Sequence, residues 1–393
     1  MQLSKNYSYL ALFLKFCKFG CLAWGGPIAQ IAMLKRELVT EEKWVSEDRF
    51  LKALALYQAL PGPEAHELCV YFGTVKKGRL GGILAGLGFM LPGLLLMLGL
   101  AWLYTNLSFH SQLITALSVI VYPTILAVIS AALKRIASHS LHSLGAIVAG
   151  LLACTLELAS VPFWISLLLA ALIVEIASRG QKKLAIGGAI SFGLVAIWYT
   201  ATQSAGAAHV AATQIASGHV SILDLSWIGL KAGLLTFGGA YTVIPFLEAD
   251  AVHSYAWITQ AQFMDGIALG GMIPAPLVIF ASFLGWLGGG FFGALAITFG
   301  IFLPAFLFTL LGHEVFERLM EHRSLQRLLE GVAAGVVGIM AATVLEFYQH
   351  LITSYQAALI CALSLLLLLK FKWKYTAPAL ILVNTTLAVM VSL

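Results

Sequence analysis

Apolar residues in this chain run in long blocks, without the alternation of a half-buried strand, and proline and glycine cut the blocks at recurring places. The blocks lie at about 8–26, 50–73, 80–104, 112–135, 141–158, 161–178, 183–202, 222–246, 262–287, 290–313, 327–346, 353–370 and 375–392. Runs of this length cross a hydrocarbon core as helices, whereas barrel strands are short and alternate. The pattern predicts an all-α integral membrane protein with about 13 transmembrane helices.

The sharpest interruption is Leu60-Pro61-Gly62-Pro63-Glu64, inside the run 50–73. Proline removes a backbone donor and clashes with the preceding turn, so the helix stops there. Backbone groups freed at membrane depth are tolerated only where protein or a water-filled cavity surrounds them. Half-helices ending at such breaks are how secondary transporters build ion sites. The helix that Pro63 starts offers first-turn N–H groups and roughly half a positive charge, a setting that suits an oxyanion.

The interruption has an echo. An offset of 213 carries Pro61-Gly62-Pro63 onto Pro274-Ala275-Pro276, Trp24-Gly25-Gly26 onto Phe237-Gly238-Gly239, Lys18 onto Lys231 and Glu37 onto Asp250. An offset of 212 continues through Gly78 and Gly290 to Leu91-Pro92 and Leu303-Pro304. The chain divides into a first transporter repeat at 8–178, a linking helix at 183–202 and a second repeat at 222–393. An odd number of crossings before the second copy inverts it in the membrane, giving two inverted-topology repeats with Pro/Gly-broken helices. The copies are unequal, because Pro27 is matched by Ala240, and Glu64, His66 and Glu67 by Leu277, Ile279 and Phe280.

Composition agrees with a membrane protein: 60% of residues are hydrophobic and 10% charged, with a mean hydropathy of +0.92. Charge adds orientation. Lys76, Lys77, Arg79, Lys134, Arg135, Arg179, Lys182, Lys183, Arg318, Arg323, Arg327, Lys370, Lys372 and Lys374 fall on one set of loops, and the opposite loops hold no Lys or Arg. Cytoplasmic loops carry that excess, so the N-terminus is expected in the cytoplasm and the C-terminus outside. The segment 27–49 departs from the rule, with Lys35, Arg36, Lys43 and Arg49 on the nominal outer side, and is expected to fold back as an amphipathic or re-entrant piece. The net charge of +5 is accounted for by these loops, which removes the case for a nucleic-acid partner. Five cysteines scattered in apolar runs give no metal-ligand spacing, and no Gly-Lys-Ser/Thr phosphate loop is present, so neither a metal, a cofactor nor direct ATP coupling is expected.

Lys18 and Lys231 stand seven residues before Gly25 and Gly238, two helical turns, and so share a face with each glycine break. Intramembrane lysines face a cavity or a partner, or else snorkel to the interface, a reading that fits Lys15. Glu64, His66 and Glu67 crowd the turn after Pro63, where they either complement the helix end or form a proton-sensitive gate. Asp265 and its counterpart Lys52 start their spans and read as interfacial.

Trp24-Gly25-Gly26-Pro27, Leu60 to Ala65, Leu91-Pro92 and Thr236 to Tyr241 resemble the chromate ion transporter family in its long, two-domain form, closely over 13–138 and 227–348. The resemblance implies a secondary transporter of the bacterial inner membrane that exports chromate and confers chromate resistance, with sulfate as the natural lookalike. On the residues above, the substrate-binding set is Lys18, Gly25, Gly26, Pro27, Pro61, Gly62, Pro63, Glu64, Lys231, Gly238, Gly239, Pro274, Ala275 and Pro276, with Glu64, His66 and Glu67 as the gate. Inward movement of sulfate or another oxyanion is the alternative within transport. A scaffold or an enzyme of lipid metabolism is the alternative outside it, and would want a clustered acid, serine or histidine constellation that the sequence lacks. Pairing of two copies as a homodimer stays open.

Overall fold

The computed structural model describes residues 7–106, 111–204, 220–319, 322–371 and 373–392, and every regular element among them is helical. The first copy comprises α1 (Tyr9–Cys21), α2 (Gly26–Leu34) continued by π-type turns over Lys35–Glu41, α3 (Glu47–Ala59), α4 (Glu64–Asn106), α5 (Ser111–Ser140), α6 (Leu144–Leu158) and α7 (Phe163–Ser178). After α8 (Lys182–Ser204) come α9 (Ile222–Leu234), α10 (Ile244–Glu248) continued by π-type turns over Ala249–Ser254, and α11 (Gln260–Met272). A short turn, Leu277–Ile279, leads into α12 (Phe280–Leu319), followed by α13 (Arg323–Leu351), α14 (Tyr355–Lys370) and α15 (Thr376–Ser392).

Helix α1 is 13 residues long, capped by Ser8, and ends before Gly25, whose φ of +87° turns the chain. Thirteen residues rise only about 20 Å, too short to span a hydrocarbon core. The chain then doubles back along α1. Tyr7 Oη donates to Glu42 at 2.9 Å, and Lys15 Nζ donates to Glu37 and Glu42, each at 2.7 Å. Segment 26–43 therefore returns to the end where α1 began, and it carries Lys35, Arg36 and Lys43 with it. The odd charges of 27–49 have this cause.

A second hairpin follows. Ser46 caps α3, the chain breaks at 60–63, and the first leg of α4 ends at Lys77 (φ −142°, ψ 25°) and Gly78 (φ 65°, ψ −165°), outside helical geometry. Lys76 Nζ lies 5.0 Å from the Trp44 ring and 5.7 Å from the Tyr7 ring, so this hairpin too closes at the N-terminal end of α1. The second leg of α4 then runs back along the first, with Gly73 against Gly81 and Gly82 against Thr74 and Val70. In the second copy α12 bends at Gly289 (φ −155°, ψ 24°) and Gly290 (φ 60°, ψ −149°), with Gly285 against Gly293. Trp257 Nε1 donates to the Leu284 carbonyl at 3.0 Å, and its ring packs beside Gly288.

Among the described residues four helices are long and apolar enough to cross a membrane: Glu64–Asn106, Ala116–Ser140, Leu277–Leu311 and Arg323–Leu351. The runs 8–26, 50–73, 222–246 and 262–287, which hydropathy reads as full crossings, are bent at their breaks into hairpins. Hydropathy registers that a segment is apolar and not which way it runs, and hence the difference. The side chains of Lys182, Arg318 and Lys372, and the positions His209, His219 and Leu393, lie outside the described residues.

The copies interleave. Gly331 and Gly335 of α13 lie against Ala170, Ala171 and Leu167 of α7, and Gly338 lies against Gly150 of α6, the close approach that small residues permit. Arg327 Nε meets Glu175 Oε2 at 2.7 Å across the same contact.

The glycines in the bent helices should differ in tolerance. Alanine at Gly73 or Gly285 drives a methyl into the facing carbonyl and should cost about 1–3 kcal/mol. Alanine at Gly78 meets no atom within 4 Å but must hold φ +65°, and should cost about 1 kcal/mol. Thermal unfolding in detergent should rank them so; no loss at Gly73 and Gly285 would mean the legs are not packed this way.

Candidate functional site

The breaks of one copy are closed by the breaks of the other. The Gly62 N–H donates to the Thr236 carbonyl at 2.8 Å, joining the first proline break to the second glycine break. Reciprocally, Gln30, 2% exposed, donates through Nε2 to the Ala23 carbonyl at 2.9 Å and to the Ala275 carbonyl at 3.4 Å. That second link joins the first glycine break to the second proline break. Gly25 is held by close packing, since a Cβ there would come within 2.6 Å of Lys374 Cβ. Gly26 precedes Pro27 at the start of α2, and Pro276 precedes the turn that opens α12, with Pro274 two residues before it.

At the first break the His66 and Glu67 amides bond back to the Pro63 carbonyl, at 2.8 and 3.1 Å. The Glu64 and Ala65 amides have no acceptor among the described residues, although both residues are buried, 7% and 3% exposed. The Glu64 carboxyl faces Gln58 and is acted on by the Arg135 charge. Glu67 is fully buried with its carboxyl against Gly62, and neither carboxylate oxygen has a hydrogen-bond partner among the described residues. Buried polar groups are normally satisfied, and the Glu67 carboxyl, like the His66 ring nitrogens, is an exception among the described residues. His66 is also fully buried but lies between the rings of Phe302 and Phe306, each 4.8 Å away, so it faces α12. Of the three grouped by sequence, Glu64 and Glu67 face the break.

On the other side of the junction Gly238 (φ +70°) and Gly239 (φ +135°) lie against α5, with Ile136 next to both and Ser140 next to Gly238. Arg135, partly buried, immediately precedes Ile136 and forms no ion pair among the described residues. By charge pattern alone Arg135 counts as a loop residue. The available signal was its position, since α5 continues to Ser140 beyond it.

The lysines come with acids. Lys231 Nζ lies 2.6 Å from Asp250 Oδ1 and 2.5 Å from Oδ2, with the Asp250 side chain only 7% exposed. In the matching place Lys18 reaches Glu37 at 4.0 Å with its side chain 63% exposed, while Lys15, 11% exposed, holds Glu37 directly. Each glycine break is thus preceded by a lysine tied to the returning leg of its hairpin. Asp265 accepts hydrogen bonds from Tyr104 at 2.8 Å and Tyr122 at 3.0 Å, which attaches α11 to α4 and α5.

The sequence profile described as Chromate transporter matches residues 10–175 and 223–391. The chain is 48% identical over 347 residues to the chromate transport protein of Pseudomonas aeruginosa, covering 87% of this chain and 82% of that one. It is 30% identical over 390 residues to the chromate transport protein of Cupriavidus metallidurans, covering 96% and 91%. An uncharacterized transporter of Bacillus subtilis, YwrB, is 36% identical over 121 residues, 31% of this chain and 61% of that one. No solved structure matches.

The Lys231–Asp250 pair generates a stability test. Lys231→Gln leaves a buried carboxylate alone and should cost about 3–5 kcal/mol, whereas exposed Lys18→Gln should cost less than about 1 kcal/mol. Adding Asp250→Asn to Lys231→Gln should recover most of the loss in thermal unfolding. A double variant as unstable as the single one would rule out the lone carboxylate as the cause.

Proposed function

The chain belongs to the chromate transporter family, and we infer from that membership and from the meeting of the breaks that it carries chromate through a bilayer. The observation that carries the reading is the Gly62–Thr236 junction, which joins the proline break and the open amides of Glu64 and Ala65 to the chain two residues before Gly238. Chromate and sulfate are both tetrahedral oxyanions, and the positive end of α4 suits either. Pro61, Gly62, Pro63 and Glu64 would line the site with Gly238 and Gly239. Gly25, Gly26 and Pro27 would form a matching junction with Pro274, Ala275 and Pro276, to which Gln30 links them through the Ala275 carbonyl. Lys18 and Lys231 would support the two junctions through their paired acids, and Glu64 with Glu67 would form the proton-sensitive gate.

In this reading the protein lies in the inner membrane with its N-terminus in the cytoplasm. The first copy's hairpins enter and leave on that side, and the second leg of α4, α5, α6, α7 and α8 cross, five in all, so the second copy is inverted. The second leg of α12, α13, α14 and α15 make nine crossings and bring the C-terminus outside. The charge pattern supports this, because Lys35, Arg36 and Lys43 then join Lys76 and Lys77 on the cytoplasmic side. Export follows from energetics. A dianion leaving a cell that is negative inside gains about 2.3 kcal/mol per charge per 100 mV, or about 4.6 kcal/mol. At about 1.4 kcal/mol per tenfold, that sustains roughly three orders of magnitude without proton exchange.

Three outcomes test the reading. Expression in a chromate-sensitive bacterium should confer resistance that excess sulfate modifies. In proteoliposomes an imposed potential should drive chromate flux while a pH gradient at zero potential drives little; strong accumulation under the pH gradient alone would favour proton antiport. Glu64→Gln should shift the pH profile and keep potential-driven flux, and its complete loss in inserted protein would place the carboxylate in the transport cycle itself.

A further inference from the structure

We propose that the groove at the base of the first copy's hairpins is a binding site for the phosphodiester headgroup of an anionic phospholipid, held by Lys43 and Arg49. The site is separate from the oxyanion junction. It uses the topology proposed above only to name the leaflet that supplies the lipid, the cytoplasmic one.

The groove has a volume of about 510 Å³, and its polar lining is Lys43, Ser46, Glu47 and Arg49, beside Trp44. It forms where the π-type turns over Lys35–Glu41 end and α3 begins. Charge is unbalanced there. Glu37 and Glu42 are held by Lys15, Glu41 lies 3.6 Å from Arg36, and Glu47, the one acid in the lining, lies 2.5 Å from Lys35. Lys43 and Arg49 are exposed, and neither has a carboxylate within 4.0 Å among the described residues. Lys76 adds a third cation beside the groove, its Nζ 5.0 Å from the Trp44 ring. The repeat shows that the fold does not need these cations. Lys43 turns the chain at φ +52° and its counterpart Ala256 does so at φ +49°, while Arg49 is matched by Gln262. The turn belongs to both copies and the two charges to the first alone.

Position selects a lipid over a free anion. Helices α1 and α3, 13 residues each, both begin at this end, so the groove lies where the hairpins leave the hydrocarbon, at headgroup depth. Tyr7 and Trp44, their rings 5.5 Å apart, are the residue types that occupy that level. Leu51, exposed on α3 two residues after Arg49, and Leu10 and Leu14, exposed on α1, continue the surface as apolar wall for acyl chains. The break at Pro61 lies the whole length of α3 away, about 20 Å, so the groove is not part of the junction. Lysine and arginine at a membrane surface hold anionic headgroups through charge-assisted N–H···O bonds to the phosphate oxygens.

The test uses the full chain in detergent, with native mass spectrometry to count retained lipid and thermal unfolding as a second readout. Phosphatidylglycerol should be retained in preference to phosphatidylcholine and should raise the unfolding midpoint. Lys43→Gln with Arg49→Gln should weaken phosphatidylglycerol binding about twentyfold, at roughly fivefold for each cation, with unfolding in the absence of lipid unchanged. Lys134→Gln with Lys183→Gln, which removes the same charge from exposed positions outside the groove, should leave lipid binding as in the wild type. Glycerol phosphate and inorganic phosphate at the same concentration should not displace the lipid. Equal losses in the two double variants would mean a general surface-charge effect and overturn the proposal. Displacement by either soluble phosphate would make the groove a free-anion site and overturn the lipid assignment. Chromate flux is not in the readout, so this proposal and the transport reading stand or fall separately.

Discussion

A helix broken inside hydrocarbon must find partners for its exposed backbone, and in this protein the Gly62 N–H finds the Thr236 carbonyl of the other copy. Gln30 does the same in reverse for Ala275. Because each copy closes the other's break, neither hairpin pair is complete alone. The rest of the architecture keeps the copies in register: Arg327 reaches across to Glu175, and α13 lies on α6 and α7 through Gly331, Gly335 and Gly338. A junction assembled from two copies also explains why both sets of breaks exist. Each contributes the backbone that the other leaves unsatisfied.

The same constraint sets the electrostatics. Lys15 and Lys231, near the two glycine breaks, are matched by acids on the returning hairpin legs, which ties each hairpin at its base. At the first break the Glu64 and Ala65 amides and the Glu67 carboxyl have no hydrogen-bond partner among the described residues. The second break has Leu277 and Phe280 in the acidic positions, both buried.

Much of this was legible in the chain. Proline and glycine act through covalent geometry, so Pro61-Gly62-Pro63 and the recurrence at Pro274 announce broken helices without any tertiary knowledge. The charge anomaly of 27–49 pointed to a fold-back, and the Glu42 contacts with Tyr7 and Lys15 show its path. Direction within the membrane was not legible, because an apolar run of some twenty residues reads alike whether it crosses or turns. Nor were partners across copies. Arg135 counts as a loop charge until α5 is seen to continue past it, and Asp265 reads as interfacial until Tyr104 and Tyr122, some 140 to 160 positions away, close on it. Tertiary proximity at that separation leaves no mark in a single sequence.

The central claim is that the oxyanion sits where Gly62 meets Thr236. The most direct measurement is the position of bound chromate in an experimental structure, located by the anomalous scattering of chromium. The account predicts a peak within hydrogen-bonding reach of the Glu64 and Ala65 amides, on the side facing Gly238 and Gly239. A peak at the Lys18–Glu37 or Lys231–Asp250 pairs, or beside Asp265, with none at the junction would contradict it.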